Sequence, residues 1–459
     1  MKIVKFGGSS LATGTQISKV IKIIQSDPQR RVIVVSAPGK RFKKDIKITD
    51  LLLQLAQAVI DQQETADIYK QIFLRYAEIA DFFKLPKEVM QDLKKHLRSI
   101  AAGSYPSEDF LKAAFSAQGE FLSASLITQI LNKIGMKARR LTPKEAGLTV
   151  TDQARNAQIL PGSYAKIAQT KIQQDEVIVF PGFFGLTKND LINTFSRGGS
   201  DITGAILARG FAADLYENFT DVDSIYTVNP NLVDDPAPIK EMTYDEMREL
   251  SYAGFSVFHD EAILPAIQGN IPINVKNTNH PEALGTMIVP QDQISHKNRI
   301  TGIASADHFQ ALYLHRYLVN REVGFTAKIL QILADLNISY EHMPSGIDDL
   351  TIILDKNQLT DGRKEKLTQR IKDEIKPDVL QWRNNYSIIM VVGEGLVNRV
   401  GAMSDIVDPL RKANISLTMV NQGSSEISIM LGVRPEDADR AVQAIYNAHF
   451  DHGHAKKED

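Results

Sequence analysis

Two segments of the sequence each join a cationic side chain to a pair of glycines and then to hydroxyl groups. They run from Lys5 to Ser10 (KFGGSS) and from Ser196 to Asp201 (SRGGSD). Glycines let backbone N–H groups approach an anion closely, and a helix that starts after them adds its own free N–H groups. A serine-capped turn without a ligand is the alternative for one segment alone. Two of them in one chain favour a pair of anion sites, one for a phosphate chain and one for a carboxylate held by the fork of Arg197.

Two further parts of the sequence can contribute to such a site. The segment from Thr220 to Tyr226 (TDVDSIY) offers hydroxyl, carboxylate and aromatic groups, which can contact a nucleotide and help to place Mg²⁺ on its phosphates. Its alternative is an aspartate-rich surface turn. Glu120 begins an apolar helix, where a carboxylate complements the helix dipole. We expect it to belong to the site only if the fold directs it towards the arginine segment.

The elements that must position these residues alternate short β-branched runs with amphipathic segments from residue 1 to about 289. This alternation is typical of an α/β fold with strands and crossover helices. Ile3 to Phe6 is the first predicted strand, and Val32 to Val35 is the second. Residues 57 to 133 contain little glycine or proline and are predicted to form a largely helical lobe.

Two helix starts are predicted from capping residues. Thr49 or Asp50 is expected to cap a leucine-rich helix after the second strand. Ser200 or Asp201 is expected to cap a helix of small residues from Thr203 to Arg209.

The composition limits the classes of function. A chain of 459 residues predicts two or three domains, and a net charge of −2 gives no case for nucleic-acid or membrane partners. The absence of cysteine excludes disulfides, thiolate metal sites and a cysteine nucleophile. Lys2 and Lys5 interrupt any apolar run at the beginning of the chain, so a cytoplasmic protein of small-molecule chemistry is expected.

The last third of the chain contains an internal duplication. The segment from Val323 to Ser339 matches the segment from Val400 to Ser416 at an offset of 77 residues, and the offset persists downstream. Each copy predicts a helix after a glycine, a strand that opens at Asn-Ile-Ser and a second strand with alternating apolar residues, as in a ferredoxin-like βαββαβ unit. A packing module without a ligand and a sensor of a small molecule are equally compatible with this periodicity.

These blocks together resemble aspartokinase, over essentially the whole chain and in the family's order and spacing. The resemblance implies an amino-acid kinase fold, a mainly parallel sheet between helical layers, followed by two ferredoxin-like ACT domains. The implied domains are a catalytic domain at 1–290, a linker and shared first strand at 291–308, a first ACT domain at 309–380 and a second at 381–452. Arg299 to Ser305 would then pair with the sheet of the last domain. The implied reaction is ATP-dependent phosphorylation of the β-carboxylate of L-aspartate with Mg²⁺, the first step towards lysine, threonine and methionine.

The resemblance also implies a role for individual residues. Lys5 and Asp201 would be catalytic, and phosphate would be cradled by Gly7, Gly8, Ser9, Gly198 and Gly199. Aspartate would be held by Ser36, Thr49, Glu120, Arg197 and Ser200, and the nucleotide by Thr220, Asp221, Tyr226, Asn231 and Ser256. An effector amino acid, lysine or threonine or both, would be sensed by Asn320, Val323, Gly324, Phe325, Thr326 and Ser339. A homodimer or larger homo-oligomer is expected, because paired first ACT domains of two chains would share that effector.

The sequence departs from the common family pattern in two places on the nucleotide side. Residues 254–260 read GFSVFHD where many members have GAKVLHP, which replaces a lysine by Ser256, and residues 229–231 read NPN where many have DPR. Lys276 or Lys240 can compensate for the lost positive charge. Two rival hypotheses remain: a kinase for glutamate, N-acetylglutamate or carbamate, and a catalytically inactive sensor built on a kinase scaffold.

Overall fold

Strands rich in β-branched residues lie at the centre of the first of two compact units. The computed structural model describes residues 1–196, 198–255, 260–295, 298–360, 362–451 and 454–455. The first unit consists of Met1–Ile225, Pro238–Ser251 and Ser256–His296. The second consists of Tyr226–Ala237, Tyr252–Phe255 and Lys297–Asp459.

The first unit is organised around a mainly parallel sheet. Its strands are β1 Lys2–Phe6, β2 Arg30–Val35, β3 Ala138–Arg140, β4 Val177–Pro181, β5 Phe184–Leu186, β6 Ile192–Thr194, β7 Leu215–Thr220, β8 Glu241–Thr243, β9 Ile273–Asn277 and β10 Thr286–Val289. The sheet has the order β3-β4-β2-β1-β7-β9-β10-β8, and β5 pairs separately with β6. All neighbours from β3 to β9 are parallel, while β10 is antiparallel to β9. The predicted α/β class is therefore confirmed.

Helices cover this sheet and extend into the predicted helical lobe. They are α1 Gly14–Gln25, α2 Ile48–Ile60, α3 Ala66–Phe82, α4 Lys87–Ala101, α5 Glu108–Ser116, α6 Gln118–Lys133, α7 Pro143–Ala146, α8 Gly162–Ala168, α9 Gly199–Gly210, α10 Tyr244–Tyr252 and α11 Leu264–Gln268. Apolar side chains at helical spacing, such as Ile17 and Leu52, pack with Val4 and Ile33 of the sheet in one buried cluster.

The predicted cap of α2 is wrong. The helix begins at Ile48, and Lys47 occupies the cap position with an extended backbone and no side-chain hydrogen bond. Thr49 and Asp50 therefore lie inside the first turn. Ile48 is fully buried in the core, so its packing fixes where the helix starts and a side-chain cap is not needed.

The second unit contains one antiparallel sheet that runs through both sequence repeats. Its elements are β11 Gly302–His315, α12 Phe325–Asp335, β12 Asp349–Asp355, α13 Arg363–Arg370, β13 Val379–Val392, α14 Ala402–Lys412, β14 Met419–Gln422, β15 Ser428–Val433, α15 Pro435–His449 and the two-residue strands β16 Phe450–Asp451 and β17 His454–Ala455. The sheet order is β12-β11-β13-β15-β14. The beginning of β11, from Gly302 to Ser305, pairs with the end of β13, from Val392 to Ile389. This is the pairing that the family resemblance implies for Arg299 to Ser305.

The repeats share their packing as well as their sequence. Ile329 and Leu333 of α12 are buried in one cluster, and the residues 77 positions later, Ile406 and Leu410 of α14, are buried in another. The predicted strand at Asn-Ile-Ser is wrong in both copies. In the second copy the strand starts later, at Met419, and in the first copy the equivalent segment makes only isolated bridges. Pro344 lies in that segment and cannot donate to a ladder, which explains the difference.

Candidate active site

A buried polar group links the carboxyl ends of β1 and β7 to the first turn of α9. Lys5 Nζ lies 2.7 Å from Asp201 Oδ1 and 3.4 Å from Asn218 Oδ1. Asn218 Nδ2 also donates to Asp201 Oδ1 over 2.6 Å. The carboxylate thus holds the ammonium group and the amide at once. Because Lys5 is only 8% exposed, its charge is oriented by fixed partners rather than by free water.

The sheet register produces this arrangement. Lys5 of β1 lies directly beside Asn218 of β7 in a parallel pair, so both side chains reach the same end of the sheet. Asp201 reaches them because α9 begins earlier than predicted. The predicted caps Ser200 and Asp201 are wrong: Gly198 occupies the cap position in the left-handed region, with φ of 72°, and the helix starts at Gly199. Glycine adopts that conformation without strain. Because the helix starts at Gly199, Asp201 lies in its first turn.

The first glycine pair packs tightly against the segment that follows β2. Gly39 N donates to Gly8 O over 2.8 Å, and a Cβ atom on Gly8 would lie 2.9 Å from the carbonyl oxygen of Ala37. Gly7 N donates to Phe219 O over 3.2 Å. Only residues without side chains permit the close approach of Gly8 to Gly39, where a Cβ atom on Gly39 would lie 2.6 Å from the carbonyl carbon of Gly8, so this pair defines a narrow backbone cradle near Lys5.

The helix expected directly after this pair is not an α-helix at first. Residues Gly8–Leu11 form one 3₁₀ turn, and α1 begins at Gly14 with Thr13 as its side-chain cap. Ser9 is exposed, whereas the Ser10 hydroxyl is buried and hydrogen-bonded to Thr278 Oγ1. This loop therefore offers an anion the backbone N–H groups beside the exposed Ser9. It does not offer the dipole of a long helix.

Glu120 faces the same backbone segment from the helical layer. Its Oε1 accepts a hydrogen bond of 3.0 Å from Ala37 N, whose carbonyl oxygen lies against Gly8. Its Oε2 is buried and has no hydrogen-bond partner among the described residues. Burial raises the pKa of Glu120 to about 8, because a carboxylate in this low-dielectric position lacks solvation. A buried acid with a free oxygen is suited to receive a cationic group.

Ser200 completes the contact between the glycine segments and the central strands. It is buried, and a Cβ atom on Gly182 would lie 2.6 Å from its Oγ. Gly182 N in turn donates to Val35 O over 3.0 Å at the end of β2. The neighbouring Phe183 has a positive φ of 77°, which is unusual for a bulky residue and is supported by a bond from its N–H to Thr203 Oγ1. Strain of this kind often accumulates at functional sites.

Two of the other predicted substrate residues, Ser36 and Thr49, are less constrained by described contacts. Ser36 is half-buried, and its N–H donates to Phe6 O over 3.3 Å. Thr49 is half-buried in the first turn of α2. Arg197 lies outside the described residues.

The predicted nucleotide residues divide between the two units. Thr220 ends β7, and its hydroxyl contacts the exposed Asp221 over 3.2 Å. Asp223, in the same loop, accepts from Asn277 Nδ2 over 2.6 Å, and hydrogen bonds from Asn277 and His280 lower its pKa. Tyr226 and Asn231 belong to the second unit, and Ser256 lies outside the described residues.

The predicted effector residues lie at the beginning of α12, except for Ser339, which follows the end of this helix. Gly324 caps this helix with φ of 81°, Phe325 is buried beneath it, and Val323 is 98% exposed. Asn320 and Thr326 are exposed, and the N–H and hydroxyl of Ser339 both donate to Gln358 Oε1 over 2.8 and 2.9 Å. The second repeat has the same geometry, because Val400 is 98% exposed and Gly401 has φ of 83°.

Two residues of the site were missed in the sequence. Asn218 is a polar residue inside a strand whose neighbours Glu217 and Phe219 are also buried, and this buried polar position at a strand end was the available signal. Gly39 follows Pro38 after the second strand and reads as an ordinary turn. No grouping of three His, Asp or Glu side chains able to hold a metal ion occurs in the described ranges. The same ranges contain no helix long and apolar enough to cross a membrane.

Comparison with known proteins identifies the family. Residues 1–277 match the Amino acid kinase family, and residues 389–449 match the ACT domain. Aspartokinase 3 of Bacillus subtilis is 45% identical over 450 residues, which cover 98% of this chain and 99% of that protein. The chain belongs to the aspartokinase family. Among solved structures, the aspartate kinase of Clostridium acetobutylicum matches this aspartokinase family member with a TM-score of 0.85 and 38% identity, over 98% of this chain and all of the other.

A more distant aspartokinase shares the same fold. Escherichia coli aspartokinase III, solved in complex with aspartate and ADP, matches with a TM-score of 0.81 at 24% identity, over 98% of this chain and 100% of that chain. The resemblance stated from the sequence motifs is thereby confirmed for the family and for the fold.

Proposed function

We propose that this aspartokinase family member transfers the γ-phosphoryl group of ATP to the β-carboxylate of L-aspartate, giving 4-phospho-L-aspartate and ADP. A carboxylate oxygen of the substrate attacks the γ-phosphorus, and the bond from that phosphorus to the β,γ-bridging oxygen breaks. The attacking group is already an anion, so no general base is required. The observation that carries the proposal is the Lys5–Asp201–Asn218 group, which presents an oriented cation beside a glycine cradle.

Lys5 acts on the charge that spreads over the transferred phosphoryl group. Its ammonium has three N–H donors, of which one is directed to Asp201 and another is near Asn218. The remaining donor is available to a phosphoryl oxygen. Because Asp201 fixes the position of Nζ before substrates bind, little reorganisation is needed as the transition state forms. Gly8 and Ser9 supply backbone N–H groups next to it, whereas the N–H of Gly7 already donates to Phe219 O.

Aspartate is positioned by groups of opposite charge. The Oε2 of Glu120, which has no described partner, receives the substrate ammonium group, and this cation stabilises the ionised form of the buried carboxyl group. Arg197 grips the α-carboxylate together with Ser200, as the family resemblance implies, while Gly198 and Gly199 belong to the phosphate cradle. Ser36 and Thr49 contact the substrate from the segments after β2. In this arrangement an acyl-blocked amine, as in N-acetylglutamate, leaves Glu120 without its partner.

ATP brings Mg²⁺ with it. Mg²⁺ in kinase sites is held largely by phosphate oxygens and water, so it needs few protein carboxylates, and Asp201 is a carboxylate at the right place. The ion would screen phosphate charge during transfer. Thr220 and Asp221 contact the nucleotide from the end of β7, and Tyr226, Asn231 and Ser256 follow from the family resemblance. Burial lowers the pKa of Lys276, one of the two lysines that can compensate for the cation lost at position 256.

Regulation and assembly involve the second unit. An amino-acid effector, lysine or threonine or both, binds around the beginning of α12 and the Asn337 to Ser345 segment. Val323 and Ile347 are 98% and 70% exposed on the same repeat. Apolar surface of this kind supports an interface between two copies of the chain. A strict monomer in gel filtration, with and without lysine and threonine, would refute the homodimer.

A coupled ADP-release assay tests the activity. The purified chain is given ATP and Mg²⁺ with L-aspartate, L-glutamate, N-acetylglutamate or carbamate, each with and without lysine and threonine. We expect turnover with L-aspartate alone and its suppression by an effector. Turnover with another acceptor refutes the assignment of L-aspartate as the substrate. Binding of an amino acid without any turnover supports the inactive-sensor hypothesis.

A further inference from the structure

A cleft of about 430 Å³ opens between α4 and α6 in the helical lobe of the first unit. Val89, Asp92, Leu93 and His96 line it from α4, Phe121, Ser125, Thr128 and Gln129 from α6, and Arg140 from the end of β3. None of these residues belongs to the site described above. The volume lies within the range of small-molecule sites in proteins.

The guanidinium group of Arg140 is the unusual feature of this cleft. It lies over the ring of Phe121 at 4.3 Å, and Nη1 donates to Ser125 Oγ. Among the residues that the structure describes, it forms no ion pair, whereas the adjacent Arg139 pairs with Glu176. Burial lowers the pKa of Arg140, which reports the cost of keeping this charge partly desolvated. Glu145 attracts this cation only at longer range, so a half-buried guanidinium that no described carboxylate contacts directly is stabilised when an anion enters the cleft.

The other polar groups define what can bind beside Arg140. The hydroxyls of Ser125 and Thr128 donate to Phe121 O and Ala124 O over 2.8 and 2.7 Å, so their hydrogens are already used. The remaining N–H groups of Arg140 are therefore the donors for an anionic ligand.

His96 does not add a second positive charge at neutral pH. Its ring stacks on Phe121 at 4.0 Å, its Nε2 is 2.9 Å from Gln118 Oε1, and burial lowers its pKa. The exposed Asp92 supplies a carboxylate on α4, and Val89 and the buried Leu93 supply apolar surface one helical turn or less away.

We propose that this cleft binds a zwitterionic amino acid with an apolar side chain. Its carboxylate pairs with Arg140, its ammonium group with Asp92, and its side chain packs against Val89, Leu93 and Phe121. The site lies within the first unit, so it is distinct from an effector site at α12. It also stands whether or not the proposed kinase activity is correct, because the readout below is binding alone.

Isothermal titration calorimetry on the full chain tests the two charged contacts separately. The probes are L-leucine, 4-methylpentanoate, which lacks the ammonium group, and 3-methylbutan-1-amine, which lacks the carboxylate. We expect L-leucine to bind, 4-methylpentanoate to bind several-fold more weakly, and the amine not to bind. Arg140→Gln should weaken L-leucine binding at least about tenfold, since a charge-assisted hydrogen-bonded pair is lost.

Two further variants separate loss of the site from loss of the fold. Arg98→Gln removes the same charge from an exposed position of α4 and should leave L-leucine binding unchanged. Gln129→Trp fills the cleft from an exposed helix position and should abolish binding while the melting temperature stays close to that of the wild type. Equal binding of L-leucine to the wild type, Arg140→Gln and Gln129→Trp would overturn the proposal. Binding of the amine as tightly as L-leucine, or of no probe at all, would overturn it as well.

Discussion

Aspartate binding should release protons, because Glu120 changes its protonation state when it receives the substrate ammonium group. Burial raises the pKa of this carboxyl to about 8, so in the free protein it is about nine-tenths protonated at pH 7. The complex needs the carboxylate, since only that form pairs with a cation. Binding at pH 7 should therefore release about 0.9 proton from Glu120.

The size of the pH effect on aspartate affinity follows from the free energy needed to ionise Glu120 before it can pair with the substrate ammonium group. That cost is about 2.7 kcal/mol at pH 6 and about 1.4 kcal/mol at pH 7, and it becomes small above pH 8. The dissociation constant for aspartate should accordingly fall about tenfold from pH 6 to pH 7 and level off near pH 8. The pH dependence has this sign because the unliganded protein, and not the complex, holds the proton.

Calorimetry in two buffers with different ionisation enthalpies counts the protons directly. Glu120→Gln should release none, and its aspartate affinity should no longer vary between pH 6 and pH 8. Glu64→Gln, at an exposed position of the helical lobe, is the matched control and should behave as the wild type. A wild-type protein that releases less than about 0.2 proton at pH 7 and binds aspartate equally at pH 6 and 8 would refute the role of Glu120.

The same group links stability to pH in the free protein. Its folded pKa of about 8 exceeds the unfolded value of 4.5, so the folded state holds more protons between these two limits. Stability should therefore fall as pH rises from about 4.5 to 8, by up to about 5 kcal/mol from this residue. The Glu120→Gln variant cannot lose stability in this way, because its amide does not ionise. Without substrate, its melting temperature should exceed that of the wild type at pH 9 and be close to that of the wild type near pH 5.

Three further substitutions probe the framework of the site. Lys5→Ala should lower kcat at least about 100-fold, because the transferred phosphoryl group loses its cation, and should also lower the melting temperature, because Asp201 loses its ion-pair partner; a folded variant with full activity sinks this mechanism. Arg30→Met removes two hydrogen bonds, of 2.6 and 2.9 Å, to the buried Glu217 and should cost about 3–5 kcal/mol in urea unfolding. Adding Glu217→Leu should recover most of that loss, and no recovery would show that the buried charge is not its cause. Gly39→Ala places a Cβ atom 2.6 Å from the backbone of Gly8, so KM for ATP should rise about tenfold with less effect on that for aspartate. Unchanged kinetics in this variant would mean that the cradle is not at the phosphates.

The sequence predicted which candidate residues would lie together, though their roles stay predictions. Lys5 lies near the end of a buried strand, and ligands of parallel sheets bind at the carboxyl ends of strands, so the KFGGSS segment predicted a site at this edge of the sheet. The second glycine segment contributed Asp201 to the same edge. Glu120 was proposed on the condition that the fold directs it towards the arginine segment. Its described bond is to Ala37, beside the first glycine segment, and Arg197 lies outside the described residues, so that condition stays a prediction.

Local capping rules failed where tertiary packing decided the outcome. Serine and threonine are good caps, yet α9 begins on Gly198 and α2 on a buried isoleucine, because backbone freedom and core packing were stronger than a side-chain cap. Asn218 could not be recognised without the strand order, since its partner Lys5 is 213 residues away in the chain. Tyr226 was grouped with Thr220 by sequence proximity, but the chain passes into the second unit between them.

The two long strands β11 and β13 limit how this protein can be shortened or recombined. Each contributes 14 residues to one continuous sheet, and the pairing of Gly302 with Val392 closes a loop that contains the whole first repeat. Cutting the gene between the repeats would leave either product with unpaired strand edges, which favour aggregation. The two repeats therefore fold as one unit. A chimera between relatives must exchange both repeats together if it is to keep the sheet complete.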